Sequence, residues 1–461
     1  MRNWLAGLLA VSLLVGGLLA STLVPAASQP SPTSPLSGAK VSYACPVAES
    51  AAADWSVVGV SEDGKLAAGA LDAKTTGKAK SMLSLSRPKV LQRVTAPRSE
   101  LAHVVSWASA AGGPERGLSA VNCAVGKATQ WFTGVMLNSE DAPELTLVNL
   151  DATESAVDIT IYGAEGRVSA AGSRGIVVGP KSTYAVPLSV MYSSPDPIAV
   201  EVDTSKGRVA AFLRPRFWDG TESLGADWLP PSATPASEVV LPGVPPGDGG
   251  RRLVVANPSQ RSAVVKVELL GAEGASVIAG ADDIEVAPES VATLDLESGL
   301  AQLSGALRLT TGDPAVTVTA ALLVGSSDEA KSSDPAFAVA GKPLPAESLW
   351  VVPAAKKAEN SLVLSNAGAL DATVSLTVSQ APGEEGDTSS LVVGAQSSVV
   401  VGLPSRKTNV LQLTTNSDSL YGSAATRLSN GGVDGLSLLP LAVDESAQTN
   451  FKITLDPRVG S

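Results

Sequence analysis

The sequence predicts an all-β chain in which a two-sheet unit is repeated behind an N-terminal hydrophobic helix. Three observations carry this. First, a block recurs: LTLVNLDATESAVDITIYGAEG (Leu145 to Gly166), LVVANPSQRSAVVKVELLGAEG (Leu253 to Gly274) and LVLSNAGALDATVSLTVSQAPG (Leu362 to Gly383). Their Asn149, Asn257 and Asn366 stand 108 and 109 residues apart, and each is followed 17 residues later by Gly166, Gly274 or Gly383. A recurring block of this length is one folded unit used several times. Second, apolar residues alternate within the block: Val157, Ile159 and Ile161; Val265, Val267 and Leu269; Val374, Leu376 and Val378. Period two puts them on one face of a strand. Third, each unit holds about seven short strands in roughly a hundred residues, the size of an immunoglobulin-like sandwich.

The elements follow in order. Arg2 precedes Trp4 to Val24, which carries no charge, and the Ser/Pro-rich SQPSPTSPLSG comes next. Residues 1–27 read as a signal peptide cleaved after Ala26, or as an uncleaved transmembrane anchor, since about 20 apolar residues span a bilayer. Either way the bulk of the chain is expected outside the cytoplasm. Residues 28–40 form a linker. Residues 41–137 read as a diverged first unit, with VTAPRSE (Val94 to Glu100) echoing EVAPES (Glu285 to Ser290). Cys45 and Cys123 bracket it and, in an exported protein, are expected to form one disulfide.

Residues 138–237, 238–345 and 346–461 are the second, third and fourth units. In each, Asn suits the turn between two strands because it tolerates a left-handed backbone and bonds its own turn. A second half repeats as well, in VVGPKSTYAVPL, EVAPESVATLDL and VVGAQSSVVVGL, each read as two strands about a turn. Opening strands WFTGVM, EVVLPGV and LWVVPA precede the Asn blocks, and the segment RPRFWDGTESLGADWLPPSATPAS joins the second unit to the third. The chain ends in an alternating Phe451, Ile453, Leu455 strand, which either completes the last sandwich or pairs with the first unit. The second option gives a propeller-like closed repeat array. Tandem sandwiches are preferred, because each unit has too many strands for one blade.

Formal net charge is −12 with Lys and Arg scattered, which argues against a nucleic-acid partner. No heptad persists, so a coiled coil is not expected. GIVVGPKS (Gly175 to Ser182) is close to a phosphate-binding loop, but Pro180 stands where Gly is needed and a strand follows, so it reads as a turn. SGAK (Ser37 to Lys40) spells Ser-x-x-Lys inside a linker, without its partner motifs. His103 is the single histidine and lies in the apolar run LAHVVSW, so core or rim packing is expected rather than a triad or zinc site. Asp282/Asp283 and Glu384/Glu385 fit solvated turn charges better than calcium or glycosidase carboxylates. Phe217, Trp218 and Trp228 form a candidate ligand surface by carbohydrate stacking; the alternative is that they fill gaps between sandwiches.

The export segment, Cys45-Pro46, Cys123 with the later Trp131-Phe132, and the aliphatic–Asn strand motif together mark a resemblance. With them the chain resembles an uncharacterised family of exported, often membrane-anchored actinobacterial proteins classed as a domain of unknown function. Asn-Pro itself occurs only at Asn257. The resemblance implies no catalytic residues.

The function expected from the sequence is a non-enzymatic extracytoplasmic envelope protein, secreted or held at the cytoplasmic membrane. It would act as a scaffold or interaction module for another envelope protein or a cell-wall polymer. A wall- or carbohydrate-binding module is the alternative, and a carboxylate-dependent hydrolase a second. No catalytic, cofactor or metal residue is assigned.

Overall fold

The computed structural model describes residues 40–441 apart from 48–52, 63, 74–76, 99–100, 138–142, 220–221, 247–249, 282, 301, 326–333, 355–357, 406 and 431–432. The leader, the linker up to residue 39, Asp282 and the closing Phe451–Leu455 strand lie outside the described residues. Among those described, no helix is long and apolar enough to cross a membrane.

The chain is all-β, and its strands pair into separate antiparallel sheets. The first group is β1 (Lys40–Cys45), β2 (Asp54–Ser61), β3 (Ala67–Ala70), β4 (Met82–Ser86), β5 (Gln92–Pro97), β6 (Ala102–Ala110) and β7 (Gly117–Asn122). It forms sheets β1-β5-β3 and β4-β2-β6-β7. The second is β8 (Thr129–Val135), β9 (Glu144–Val148), β10 (Ser155–Gly163), β11 (Gly166–Val168), β12 (Ile176–Val178), β13 (Thr183–Pro187), β14 (Ile198–Lys206) and β15 (Ala210–Leu213). Its sheets are β8-β14-β10-β11, with β12 also on β10, and β13-β9-β15. A hairpin follows, β16 (Arg216–Asp219) with β17 (Glu222–Ala226).

The third group is β18 (Glu238–Val244), β19 (Arg251–Asn257), β20 (Ala263–Gly271), β21 (Gly274–Val277), β22 (Ile284–Val286), β23 (Ser290–Asp295), β24 (Gly305–Thr310), β25 (Thr319–Val324) and β26 (Ala336–Val339). It gives β18-β24-β20-β21, with β22 on β20, and β23-β19-β25-β26. The fourth is β27 (Glu347–Val352), β28 (Ala358–Asn366), β29 (Ala372–Ser379), β30 (Asp387–Val393), β31 (Ser397–Leu403), β32 (Asn409–Thr415), β33 (Leu420–Asn430) and β34 (Val433–Pro440). Its sheets are β27-β32-β29-β30 and β31-β28-β33-β34.

One wiring serves all four groups, and in each the two sheets face each other over a shared core. Val265, Val267 and Leu269 of β20 bury against Leu253 and Val255 of β19 and Leu322 of β25, for example. Each such side chain contributes about 1.5–3 kcal/mol by leaving water. The strand order differs from the immunoglobulin order, in which the first two strands share a sheet. Here the first strand pairs with a later one, β1 with β5 and β18 with β24, while the second lies in the opposite sheet. The links explain this. Each connection from first to second strand carries proline: Pro46, Pro143, Pro245-Pro246 and Pro353. Proline fixes φ and lacks an N–H, which does not suit a tight hairpin and favours a crossing between sheets.

The repeated asparagines occupy one geometry. Asn149 Nδ2 donates to Thr153 O (2.7 Å) and Val178 O (3.0 Å), and its Oδ1 accepts from the Asp151 N–H (2.9 Å). Asn257 Nδ2 donates to Arg261 O (2.8 Å) and Val286 O (3.1 Å), and its Oδ1 accepts from Ser259 N–H (3.0 Å). Asn366 Nδ2 donates to Leu370 O (2.8 Å) and Val393 O (3.1 Å), with Gly368 N–H on Oδ1 (3.0 Å). All three are fully buried. The amide closes the turn after its strand and ties that turn to a strand of the facing sheet. The second half repeats too: Lys181, Glu289 and Gln396 all take left-handed φ near +50°, each just before a serine that bonds back to the turn. Lys181 therefore sits in a turn between strands, as the proline in GIVVGPKS requires.

In the first group Ser61 holds the asparagine's place: its N–H donates to Ser81 O (2.9 Å) as that of Asn149 does to Ser182 O (2.9 Å). VTAPRSE does not mark the corresponding turn. Val94–Pro97 belongs to β5, between β1 and β3, whereas EVAPES spans β22 and the start of β23. Cys45 and Cys123 are bonded, 78 residues apart. Closing a loop of that length is worth about 4 kcal/mol in the chain-entropy model.

The groups are not strung out as beads. β8 packs on β19 and β25, β18 on β33, and β34 and β27 on β7 and β6, so contacts run from first to second, third, fourth and back to the first. Trp131 stacks on Tyr162 (5.4 Å) against Val254 and Ala256, for example.

Replacing Asn257 with Ala leaves the buried Val286 carbonyl, and the turn groups Arg261 O and Ser259 N–H, without their amide partner. At about 1 kcal/mol or more each, the loss is roughly 2–4 kcal/mol. We expect chemical denaturation to show it, and an equal loss for Asn366→Ala; exposed Asn416→Ala on the same scale would be near neutral.

Candidate functional site

The most elaborately built polar region lies where the groups meet. It starts at Arg214, just after β15. Its guanidinium lies over the rings of Trp55 (5.1 Å) and Trp228 (5.3 Å) and pairs with Glu115, whose carboxylate is buried. Arg216 approaches the same carboxylate at 3.5 Å. Flat guanidinium against indole gains cation–π attraction, and the buried charge is answered by a partner of opposite sign.

Beside this lie two acids. Asp227 is 1% exposed. Its Oδ1 accepts from the N–H groups of Ala120 (3.2 Å) and Trp228 (2.8 Å), and its Oδ2 from Ser437 Oγ (3.4 Å). Asp334, just before β26, is 3% exposed. Its Oδ2 accepts from Leu118 N–H (2.7 Å) and Leu436 N–H (3.1 Å). Leu118 and Ala120 lie on β7, and Leu436 and Ser437 on β34. Both are edge strands. Edge N–H groups that no neighbouring strand satisfies are thus satisfied by carboxylates. Burial pushes both carboxyl groups well above the usual carboxylate range, and the charge of Asp227 pushes Asp334 further.

His103 joins the first group to the fourth. Its Nδ1 accepts the Val351 N–H (3.1 Å), so Nε2 carries the proton and donates to Asn122 Oδ1 (2.9 Å). Asn122 Nδ2 then donates to Pro440 O (2.7 Å), and the imidazole meets Trp350 edge-on at 4.8 Å. Burial lowers the imidazole from 6.5 to about 4. A cavity of about 90 Å³ opens here, lined by Tyr43, His103, Lys127, Phe212, Trp350 and Pro440 among others. That is room for about three waters. Chemically, this arrangement ties two sheet pairs through a neutral imidazole.

The candidate aromatic residues separate. Trp228 is 6% exposed, set edge-on to Trp55 (6.5 Å) and Phe212 (6.0 Å), and is not available as an exposed platform. Phe217 is half-buried near Phe337 (6.0 Å), and Trp218 is half-buried beside it on β16. Glu384 and Glu385 are exposed. Among the described residues no group of three or more His, Cys, Asp or Glu could hold a metal ion. Sequence reasoning passed over Glu115, Arg214, Asp227 and Asp334. The signal available was a charged residue inside an apolar stretch, as in GADWLPP and DPAFAV.

A depressed imidazole pKa sets the sign of a pH effect. The contribution of His103 is fully present above 6.5, the unfolded value, and is lost as pH falls toward about 4. The span corresponds to roughly 3 kcal/mol. We expect the stability difference between wild type and His103→Asn to shrink by about that much between pH 7 and pH 4, read by urea denaturation at each pH.

Comparison with known proteins gave no match among curated proteins and none among solved structures. One family model does match, over residues 73–404, most of the chain and much of its repeated architecture. The chain therefore belongs to a family of unknown function, DUF5719.

Proposed function

We propose that this is a non-enzymatic extracytoplasmic envelope protein, a rigid scaffold or interaction module that presents its outer sheet faces to another envelope protein or a wall polymer. The observation that carries the reading is how the buried polar groups are used. The one histidine, the Arg214–Glu115 pair and the two buried acids all spend their bonds joining sheet pairs. Such joints give a stiff body whose outward faces are left for contact. Location rests on the uncharged run after Arg2 and on the Cys45–Cys123 bond, which persists in oxidising compartments. An actinobacterial source and an uncleaved membrane anchor belong to the same proposal and rest on the sequence resemblance.

The second reading, carbohydrate binding, keeps Trp218 and Phe217 as its half-exposed aromatic residues. It predicts retention on purified wall polysaccharide that Trp218→Ala abolishes.

The main reading is tested by fractionating intact cells and crosslinking the native protein. We expect recovery with the envelope, an oxidised Cys45–Cys123 pair and a defined crosslinked partner. Recovery in the cytosol with both thiols reduced overturns it.

A further inference from the structure

Asp334 makes uneven use of its two oxygens. Oδ2 accepts two edge-strand N–H groups, while Oδ1 is buried and accepts none. The space around it is shaped by glycine. Gly117 and Gly225 both take left-handed backbone (φ +98° and +115°). A Cβ on Gly117 would stand 2.2 Å from Asp334 Cγ. A Cβ on Gly225 would stand 2.5 Å from Asp334 Oδ1 and 2.5 Å from the Arg116 carbonyl oxygen. Two oxygens, one a carboxyl and one a carbonyl, thus converge on the same small space. Ionised, the carboxyl would set a charged acceptor beside the carbonyl acceptor away from water, an arrangement that costs several kcal/mol. A proton on the carboxyl turns one of these two acceptors into a donor.

We propose that Asp334 works as a neutral acid that latches the closed series of sheet pairs: its Oδ1–H donates to the Arg116 carbonyl, and loss of that proton loosens the junction of β7, β34 and the 214–228 connector. The groups facing it agree. Asp227 lies near enough to repel a second negative charge, and Arg116 is the opposing cation. The other cations of the junction, Arg214 and Arg216, are engaged with Glu115. From β7 and β34 come only the two backbone N–H groups, both on Oδ2. Burial raises the carboxyl and outweighs Arg116. The sign follows: a raised carboxyl contributes fully below its unfolded value, and that contribution is lost as pH rises through its folded value. The latch is closed in acid and opens toward alkali. The inference stands whether or not the envelope reading does.

The test uses the full chain as wild type, Asp334→Asn and Asp334→Ala, with unfolding followed from pH 5 to 9. An Asn can donate to Arg116 O while its oxygen keeps both edge N–H groups. We expect the margin of Asp334→Asn over wild type to grow steadily from pH 5 to pH 9, the variant having lost up to one proton of pH dependence, a tenfold change in the unfolding constant per pH unit. Asp334→Ala is expected to be destabilised throughout. Equal destabilisation of both variants, with the slope unchanged, overturns the proposal in favour of an ionised Asp334 held by Arg116. Calcium that raises the midpoint of wild type but not of Asp334→Asn overturns it in favour of a bound cation. Should the Asn variant fail to fold, hydrogen exchange on wild type decides. Peptides of β7 and β34 must lose protection at alkaline pH before β19 does, and parallel loss in all three overturns the latch.

Discussion

The molecule depends on how the free edges of β7 and β34 are covered. An edge strand offers unpaired N–H groups and invites pairing with another chain. In this protein Asp227 and Asp334 reach in from the connector and from the residues just before β26 and accept those N–H groups. The same bonds hold the first and fourth sheet pairs together. Because a short carboxylate side chain replaces a whole strand, the two edges approach without forming a ladder. Gly435 shows how close that approach is: a Cβ there would stand 2.8 Å from Leu118 Cγ.

Much of the local fold was legible because its causes are local. Alternation in AVVKVELLG gives a strand with Val265, Val267 and Leu269 inward and Lys266 and Glu268 outward, and β20 follows it. Asn257 needs only its own turn and one carbonyl from the facing sheet, so a single residue type at a fixed spacing marks the place three times. Cys45 and Cys123 were paired by count and compartment. The wiring of the sheets was less legible. Size and strand number suit the immunoglobulin order, whereas the prolines after the first strand of each group argue against an opening hairpin.

The closure of the series on itself left a trace that periodicity alone does not decode. TAALLV of β25 is buried at every position, as are AFAV of β26 and WFTGV of β8. An unbroken apolar run means a strand covered on both faces. One face belongs to the strand's own sandwich; the other must belong to a neighbour. Which neighbour is not written in the run, because any flat apolar face of the same width would serve. Trp228 shows the same ambiguity. A tryptophan in a Pro-rich connector suits an exposed platform or a joint, and only its edge-on contact with Trp55, with Arg214 over both rings, decides for the joint.

The junction uses two different answers to buried charge, and the difference has consequences. Glu115 is answered by Arg214 and Arg216, an ion pair that salt screens little because it is buried. Asp334 is answered on one oxygen by N–H dipoles, and on the other by no hydrogen-bond donor. An ion pair answers one buried charge with another. An acid held by dipoles beside a second acid is far more responsive to proton activity. The joint therefore combines a salt-resistant clamp with a proton-sensitive one.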